Sequence, residues 1–129
     1  MTGESTAQNA VRLAAAHHGG ALWRNNSGAL LDKAGRMVRF GLGNDSARIN
    51  EVWKSSDLIG IVPVTVQPHH VGMVWGVFTA IEMKAPDWRL TPGDERAKAQ
   101  GNFINQVRGL GGIAGFCRSV EEFERIIGK

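Results

Sequence analysis

The stretch of sequence that decides the fold is DLIGIVPVTVQPHHVGMVWGVFTAIEMK, residues 57–84. It contains two apolar runs rich in valine and isoleucine, which are typical strand residues, and QPHHVG between them has the proline and glycine of a turn. The first run opens on Asp57, and the second closes on Glu82, Met83 and Lys84. Such charged side chains need a partner or an ion, because burying an unpaired charge is costly.

The two runs predict an antiparallel hairpin. Paired residues in such a hairpin have a constant index sum, and a turn near residue 70 gives a sum of about 140. Asp57 would then lie opposite Met83, while Glu82 and Lys84 share one face of the sheet because side chains alternate along a strand. The pattern therefore predicts that Asp57, Glu82 and Lys84 meet at one end of the hairpin.

Helical and strand patterns on both sides of the hairpin predict an α/β fold. Before the hairpin we expect a helix over residues 5–18 capped by Ser5 and Gln8, strands near residues 21–25 and 36–42, and a polar loop over 43–56. After the hairpin we expect a helix capped by Thr91, with an apolar stripe of Ala99, Phe103, Val107 and Leu110. A strand at 113–117 and a helix through Ile127, capped by Ser119 and Glu122, complete the chain. The predicted order is αββββαβα, a mixed sheet flanked by helices in a single domain over residues 1–129.

The composition is that of an ordinary globular domain. The chain has 129 residues and a net charge of +3. Its apolar runs are all much shorter than a membrane span, which needs about 18 residues. We expect a protein of the reducing intracellular compartment, because the single cysteine, Cys117, cannot form an internal disulfide and is expected to be a buried small apolar residue. The mild basic excess is compatible with a polyanionic partner.

An acid pair with a nearby lysine has a specific chemical use. Two carboxylates held close together repel, and a hard cation such as Mg²⁺ relieves the repulsion while keeping positions for water and a phosphate oxygen. Lys84 could then orient or deprotonate the attacking water, or stabilise charge that develops on the phosphate. The implied reaction is metal-dependent hydrolysis of a phosphodiester. The alternative is a structural ion pair at a strand end, since the D…ExK spacing is short and common.

The segments SSDLIG, AIEMK and RAKAQGNFINQVRGLGGIAGFC together resemble the VRR-NUC branch of the PD-(D/E)XK nucleases. The resemblance covers essentially the whole chain and includes ESTAQNAVRLAAAHHGGALWRNNSG, similar to the opening of stand-alone phage and bacterial members. It implies a restriction-endonuclease-like core. It also implies site roles: Mg²⁺ or Mn²⁺ bound by Asp57, Glu82 and the backbone carbonyl of Met83, Lys84 acting at the attacking water, and Glu4 and Gln100 completing the site. Ser56 stands where a proline often precedes the acid, which leaves metal binding unaffected because proline is no ligand.

Polar and basic residues near the predicted site are candidate DNA contacts. WRNN follows the first strand, and the segment after the ExK strand carries further cations and an indole; the candidates are Arg24, Asn25, Asn26, Trp88, Arg89, Arg96 and Lys98. Each has a structural alternative: hydrogen bonds of a strand-end turn for the first three, core packing for Trp88, and a solvated helix face for Arg96 and Lys98.

The function that these features predict is a Mg²⁺-dependent DNA endonuclease selective for structure, such as four-way junctions or flaps. The resemblance implies work in DNA replication, recombination or repair in the cytoplasm of a bacterium or phage-infected host, and a homodimer, which symmetric junction cleavage also requires. The alternative is a non-catalytic nucleic-acid-binding or assembly module. The adjacent histidine pairs, His17-His18 and His69-His70, are not expected to bind zinc because neighbouring side chains point apart.

Overall fold

The computed structural model describes residues 3–129, which form a mixed α/β protein. These residues divide into two compact units, residues 3–17 with 21–60 and residues 18–20 with 61–129. The expectation of a single domain stays a prediction. No helix within residues 3–129 combines the length and the apolar character that crossing a bilayer requires.

The first unit is built on short strands and one long helix. Its elements are α1 (Gly3–His17), β1 (Ala21–Arg24), β2 (Gly28–Leu31), β3 (Met37–Phe40), α2 (Ala47–Val52) and β4 (Leu58–Ile61). Strand β1 pairs with β4, and β2 pairs antiparallel with β3, with Gly28 opposite Phe40. Helix α1 packs on β1, where the Arg12 Nε donates a hydrogen bond to the carbonyl oxygen of Leu22 at 2.9 Å.

The second unit is organised around a parallel strand pair. Its elements are a 3-10 turn (Pro68–His70), β5 (Thr79–Met83), α3 (Glu95–Gly109), β6 (Ile113–Cys117) and α4 (Val120–Ile126). Strands β5 and β6 run parallel with Glu82 opposite Phe116, and α3 makes the crossover that a parallel pair requires. Its buried core is formed by Ala97, Ile104, Val107, Ala114 and Cys117. The expectation that Cys117 is a buried apolar residue is therefore confirmed.

The predicted hairpin over residues 57–84 is wrong. Residues 62–67 and 73–78 lie outside helices and strands, β4 pairs with β1, and β5 pairs with β6. Alternating valines indicate an extended backbone but do not determine which strand it pairs with. Strands β4 and β5 each pair with a strand that is distant in the sequence. The strand pairing that would have set Asp57 opposite Met83 is therefore not formed.

Two elements were absent from the predicted order αββββαβα. Strand β2 was missed because GALL has no β-branched residue. It pairs with β3 across a turn in which the Asp32 Oδ1 accepts hydrogen bonds from the backbone N–H groups of Ala34 and Arg36. Helix α2 lies in the segment predicted as loop, and its N-cap is Ser46, whose side chain accepts from the Ile49 N–H.

Two of the three predicted helix starts are also corrected. Helix α1 begins at Gly3, so Ser5 and Gln8 lie inside the helix instead of capping it, and the Gln8 Nε2 donates to the Glu4 Oε1. Helix α3 begins at Glu95 and is capped by Asp94 instead of Thr91, because the Asp94 Oδ1 accepts from the Ala97 N–H. The cap of α4 by Ser119, with its Oγ accepting from the Glu122 N–H, is confirmed.

The inward face of α3 also differs from the predicted stripe. Val107 is fully buried as expected, but Ala99 and Phe103 are exposed, and the buried positions are Ala97, Ile104 and Val107. Gln100 belongs to this face, because residues three, four and seven apart lie on one side of a helix. A stripe drawn through apolar residues alone missed it, since one inward position is occupied by a polar side chain.

Asn44 is the one buried polar residue of the described chain, and it joins β2 to β3. Its Nδ2 donates to the carbonyl oxygens of Gly28 and Phe40 at 2.8 and 2.9 Å, and its Oδ1 accepts from Arg39. We expect Asn44→Ala to lower the free energy of unfolding by about 1–3 kcal/mol, because partners of a buried amide are left unpaired. Urea denaturation followed by circular dichroism measures this.

The matched variant is Asn44→Asp, which keeps an acceptor for Arg39 but cannot donate to the two carbonyl oxygens. We expect it also to destabilise the protein. Urea midpoints for both variants equal to that of the parent protein would show that the amide does not hold the strand pair together.

Candidate active site at the end of strand β5

Three polar side chains form a continuous hydrogen-bonded array where β5 ends. The Gln100 Nε2 donates to the Glu82 Oε1 at 2.8 Å, and the Lys84 Nζ donates to the Gln100 Oε1 at 2.7 Å. Glu82 and Lys84 reach the same amide because they are two residues apart on an extended backbone. The prediction that they share one face is confirmed.

The polarity of Gln100 suits both of its neighbours. Its amide nitrogen faces a carboxylate, and its amide oxygen faces an ammonium group, so each contact is assisted by a full charge. The side chain is half-buried, on the inward face of α3 beside Ala97 and Ile104. The array thus holds an acid and a base at fixed positions relative to a core helix.

Two aromatic rings lie beside the Lys84 ammonium group. The Nζ is 5.2 Å from the ring centroid of Trp88 and 5.6 Å from that of Phe116, both within the range of a cation–π contact. The two rings contact each other with centroids 5.0 Å apart and planes inclined by 37°. Phe116 is placed here by the register of β6, which sets it opposite Glu82.

Arg118 connects the segment that carries Trp88 to α4. Its Nη1 donates to the carbonyl oxygen of Trp88 at 3.1 Å, and its Nε donates to the Glu122 Oε1 at 2.6 Å. The hydrogen bond from Arg118 and its positive charge lower the pKa of the Glu122 carboxyl below its ordinary value. The Glu122 carboxylate therefore stays ionised at neutral pH and continues to accept the hydrogen bond from the Arg118 Nε.

A cleft of about 250 Å³ gives access to the array from the β5–α3 side. Its walls comprise Ala80, Ile81, Glu82, Gln100, Phe103 and Ile104. Glu82 and Gln100 are its polar members, and the other four lining residues are apolar. A ligand entering this cleft would meet the Glu82 carboxylate.

The other predicted acids lie in the first unit. Glu4 is exposed in the first turn of α1, and Asp57 is exposed immediately before β4, where its backbone carbonyl accepts from the Asn25 N–H at 2.8 Å. Within residues 3–129 no three His, Cys, Asp or Glu side chains are grouped so that they could hold a metal ion. A site with fewer protein carboxylates is common for Mg²⁺, so the ligand set of Asp57, Glu82 and Met83 stays a prediction.

The predicted DNA contacts of the first unit differ in their surroundings. The Asn25 Nδ2 donates to the Ser55 Oγ and the Ser56 carbonyl oxygen, and its Oδ1 accepts from the Leu42 N–H. These bonds favour the structural alternative, because they engage the whole amide. Asn26 is exposed, and the exposed Arg24 donates through Nη2 to the Asn9 Oδ1 at 3.2 Å. A role of all three in DNA binding stays a prediction.

The predicted contacts of the second unit lie within residues 88–98, where Trp88 is half-buried and the three basic residues are exposed. Arg89 is exposed and donates to the carbonyl oxygen of Trp88, the atom that also accepts from Arg118. Arg96 and Lys98 are exposed in the first turn of α3, and Lys98 forms an ion pair with Glu95 at 3.2 Å. Their positions are compatible with contacts to phosphate and with a solvated helix face.

Two residues of this site were missed from the sequence. Phe116 and Arg118 both come from the segment IAGFCRSV, which was recognised as a strand followed by a helix. A signal was present, because a strand, helix and strand in succession favour parallel pairing. That pairing would have set the end of β6 beside the end of β5.

Comparisons with known proteins do not identify a family for the chain. Compared with models of protein families, with curated protein sequences and with solved structures, the chain has no match. The nuclease resemblance rests on the quoted sequence segments.

Proposed function

We propose that the chain is a metal-dependent DNA endonuclease with a PD-(D/E)XK core, acting on branched DNA such as four-way junctions or flaps. The observation that carries the proposal is the array of Glu82, Gln100 and Lys84. It supplies an acid and a base at the end of a strand, held by a glutamine on the following helix. Such fixed placement of charged groups is the main protein contribution to phosphoryl chemistry.

The donor atoms near Glu82 fit a hard divalent cation. The Glu82 carboxylate and the Met83 backbone carbonyl are oxygen donors, and Asp57 enters the proposed ligand set from the sequence alone. Glu82 is half-buried, and its Oε1 accepts a hydrogen bond from the Gln100 Nε2. A bound Mg²⁺ or Mn²⁺ would supply a Lewis acid and lower the pKa of a coordinated water.

The protein residues have separate roles in this proposal. Lys84 would hold the attacking water or stabilise charge on the phosphate oxygen, because its ammonium group donates up to three hydrogen bonds. Gln100 occupies one of these bonds and so orients the rest. It also fixes the Glu82 carboxylate through the other end of its amide.

The experiment that tests the proposal is incubation of the protein with Mg²⁺ or Mn²⁺ and a panel of labelled DNAs. The panel contains single-stranded, duplex, flap and four-way-junction substrates. We expect cleavage of a branched substrate that is abolished by a chelator and restored by the metal. Absence of cleavage of every substrate with both metals would overturn the proposal.

A second candidate is a non-catalytic module that binds nucleic acid or assembles with other proteins. The observation that favours it is that Glu82 and Lys84 are both engaged by one glutamine, as in a structural polar network. The two candidates differ in their response to metal. A non-catalytic module would bind the branched DNAs without cleaving them.

A dimer is a further expectation of this proposal. Symmetric junction cleavage needs two sites related by a two-fold axis. Residues 58–81 contain no Asp, Glu, Lys or Arg, and apolar side chains of this stretch are exposed, among them Val64, Val74 at 99% and Trp75. A surface of this kind is typical of protein interfaces.

We expect sedimentation equilibrium at micromolar concentration to give twice the chain mass. Val74→Asp should shift the protein toward the monomer, because it places an unpaired charge in the apolar surface. A monomeric mass with and without four-way-junction DNA would contradict the dimer and favour flap or single-strand cleavage.

A further inference from the structure

The contacts of Trp88 favour its structural alternative, packing within the protein, over stacking on a DNA base. A stacking platform needs an open ring face on the path of the nucleic acid. The Trp88 indole is half-buried, contacts Phe116 at 5.0 Å between centroids, and lies 5.2 Å from the Lys84 Nζ. Its contacts are thus made with the array at the end of β5.

The Lys84 ammonium group is confined on two sides. Gln100 accepts one of its hydrogen bonds at 2.7 Å, and the rings of Trp88 and Phe116 form a wall within cation–π range. A lysine side chain has four rotatable bonds, so a hydrogen bond alone leaves it many conformations. The two rings therefore lie beside an ammonium group that already donates to Gln100.

Arg118 links Trp88 to the rest of the second unit, in addition to two local hydrogen bonds: the Trp88 N–H donates to the carbonyl oxygen of Ala85, and its carbonyl oxygen also accepts from the Arg89 Nη1. Trp88 lies outside helices and strands, so no regular backbone ladder holds it. Arg118 directly follows β6, donates to the Trp88 carbonyl oxygen at 3.1 Å, and is fixed by its bond to Glu122 on α4. One guanidinium group therefore ties a loop to a strand end and a helix.

We infer that Trp88 and Arg118 are positioning residues: the Trp88 ring, held in place by Arg118, keeps the Lys84 ammonium group aligned with Gln100. The part that concerns catalysis rests on the proposed nuclease function. The part that concerns the conformation of Lys84 does not, and it can be measured without DNA or metal.

The first measurement is the NMR signal of the Lys84 ε-CH₂ group in protein carrying ¹³C-labelled lysine, assigned by its loss in Lys84→Arg. Adjacent aromatic rings shift such a signal away from that of an exposed lysine. We expect Trp88→Leu to move the signal toward the exposed value, and Arg118→Gln to move it part of the way. Trp88→Phe should retain most of the ring shift.

The matched control for Arg118 is Arg36. Both arginines donate to a carboxylate four residues away, Arg118 to Glu122 and Arg36 to Asp32, but Arg36 lies in the turn between β2 and β3. Arg36→Gln should leave the Lys84 signal unchanged. A Lys84 signal that does not move in Trp88→Leu, or that moves equally in Arg36→Gln and Arg118→Gln, would overturn the inference.

The second measurement separates positioning from base stacking. We expect Trp88→Leu to lower the single-turnover cleavage rate at saturating DNA about tenfold, the size of one cation–π contact, while DNA affinity stays within about twofold. A fall in affinity with an unchanged saturating rate would assign Trp88 to base stacking and overturn the inference.

Two further outcomes are distinguishable. If Trp88→Leu fails to fold, Arg118→Lys, which keeps a cation for Glu122 but loses the planar fork, carries the same two measurements. If the parent protein cleaves no DNA, the proposed function fails, and the Lys84 signal still decides the positioning.

Discussion

Glu82→Gln should abolish DNA cleavage while leaving the fold intact. The substitution keeps the shape of the side chain and an oxygen that can accept the hydrogen bond from Gln100, which the structure places at 2.8 Å. It removes the negative charge that the proposed metal requires. Metal ions contribute several kcal/mol of charge stabilisation in the transition state, so the loss should reach roughly 10³-fold. Single-turnover cleavage of the preferred DNA in Mg²⁺ measures it, with circular dichroism to monitor the fold.

The matched control is Glu124→Gln, which removes one acid from the exposed surface of α4. Its cleavage rate should equal that of the parent protein. Asp57→Asn is expected to behave like Glu82→Gln, because the nuclease resemblance places Asp57 in the same proposed ligand set. Near-normal hydrolysis by both Asp57→Asn and Glu82→Gln would contradict the metal assignment.

Lys84→Met should stop turnover and leave DNA binding in place. Methionine keeps an apolar stem to pack against Trp88 and Phe116 but removes the ammonium group and its hydrogen bond to Gln100. Affinity for DNA comes mainly from many phosphate contacts. Loss of one cation should therefore reduce the slope of log affinity against log salt concentration by the equivalent of at most about one phosphate contact. Fluorescence anisotropy at several salt concentrations and single-turnover cleavage test the two parts separately.

Lys33→Met serves as the control, since Lys33 is an exposed cation in the turn between β2 and β3. We expect it to retain full turnover. If instead Lys84→Met unfolds the protein while Lys33→Met does not, the strand-end ion-pair alternative gains support. Parental cleavage by Lys84→Met would exclude a role of the ammonium group in catalysis.

Local sequence signals were sufficient for most of the helices and strands. The α3, β6 and α4 segments carry caps, a stop and a β-rich run that act within a few residues, and each was found near its predicted place. The partners of the strands were not predictable in the same way. Valine-rich runs such as residues 62–66 contain no charged residue that would specify a partner strand or a pairing register. In the structure these residues lie outside the sheets.

The residues of the candidate site differ in the same way: some follow from local sequence rules, and others depend on how the strands pair. Glu82 and Lys84 were placed on one face by strand alternation alone, a rule that needs no knowledge of the fold. Phe116 and Arg118 were not found, because their approach depends on the parallel register of β5 and β6. Gln100 was identified by resemblance, while its hydrogen bonds follow from the rotation of α3, which the apolar stripe predicted incorrectly.

Met83 lies between the two charged residues of the array, and the residue is 62% exposed. The atom proposed to bind metal at this position belongs to the backbone, and every amino acid supplies it. Evolution is therefore free to exchange the side chain at position 83 without touching the chemistry. Among descendants of this sequence, position 83 should drift as freely as a surface loop. A survey that ranks residues by their constancy would pass over this proposed metal ligand.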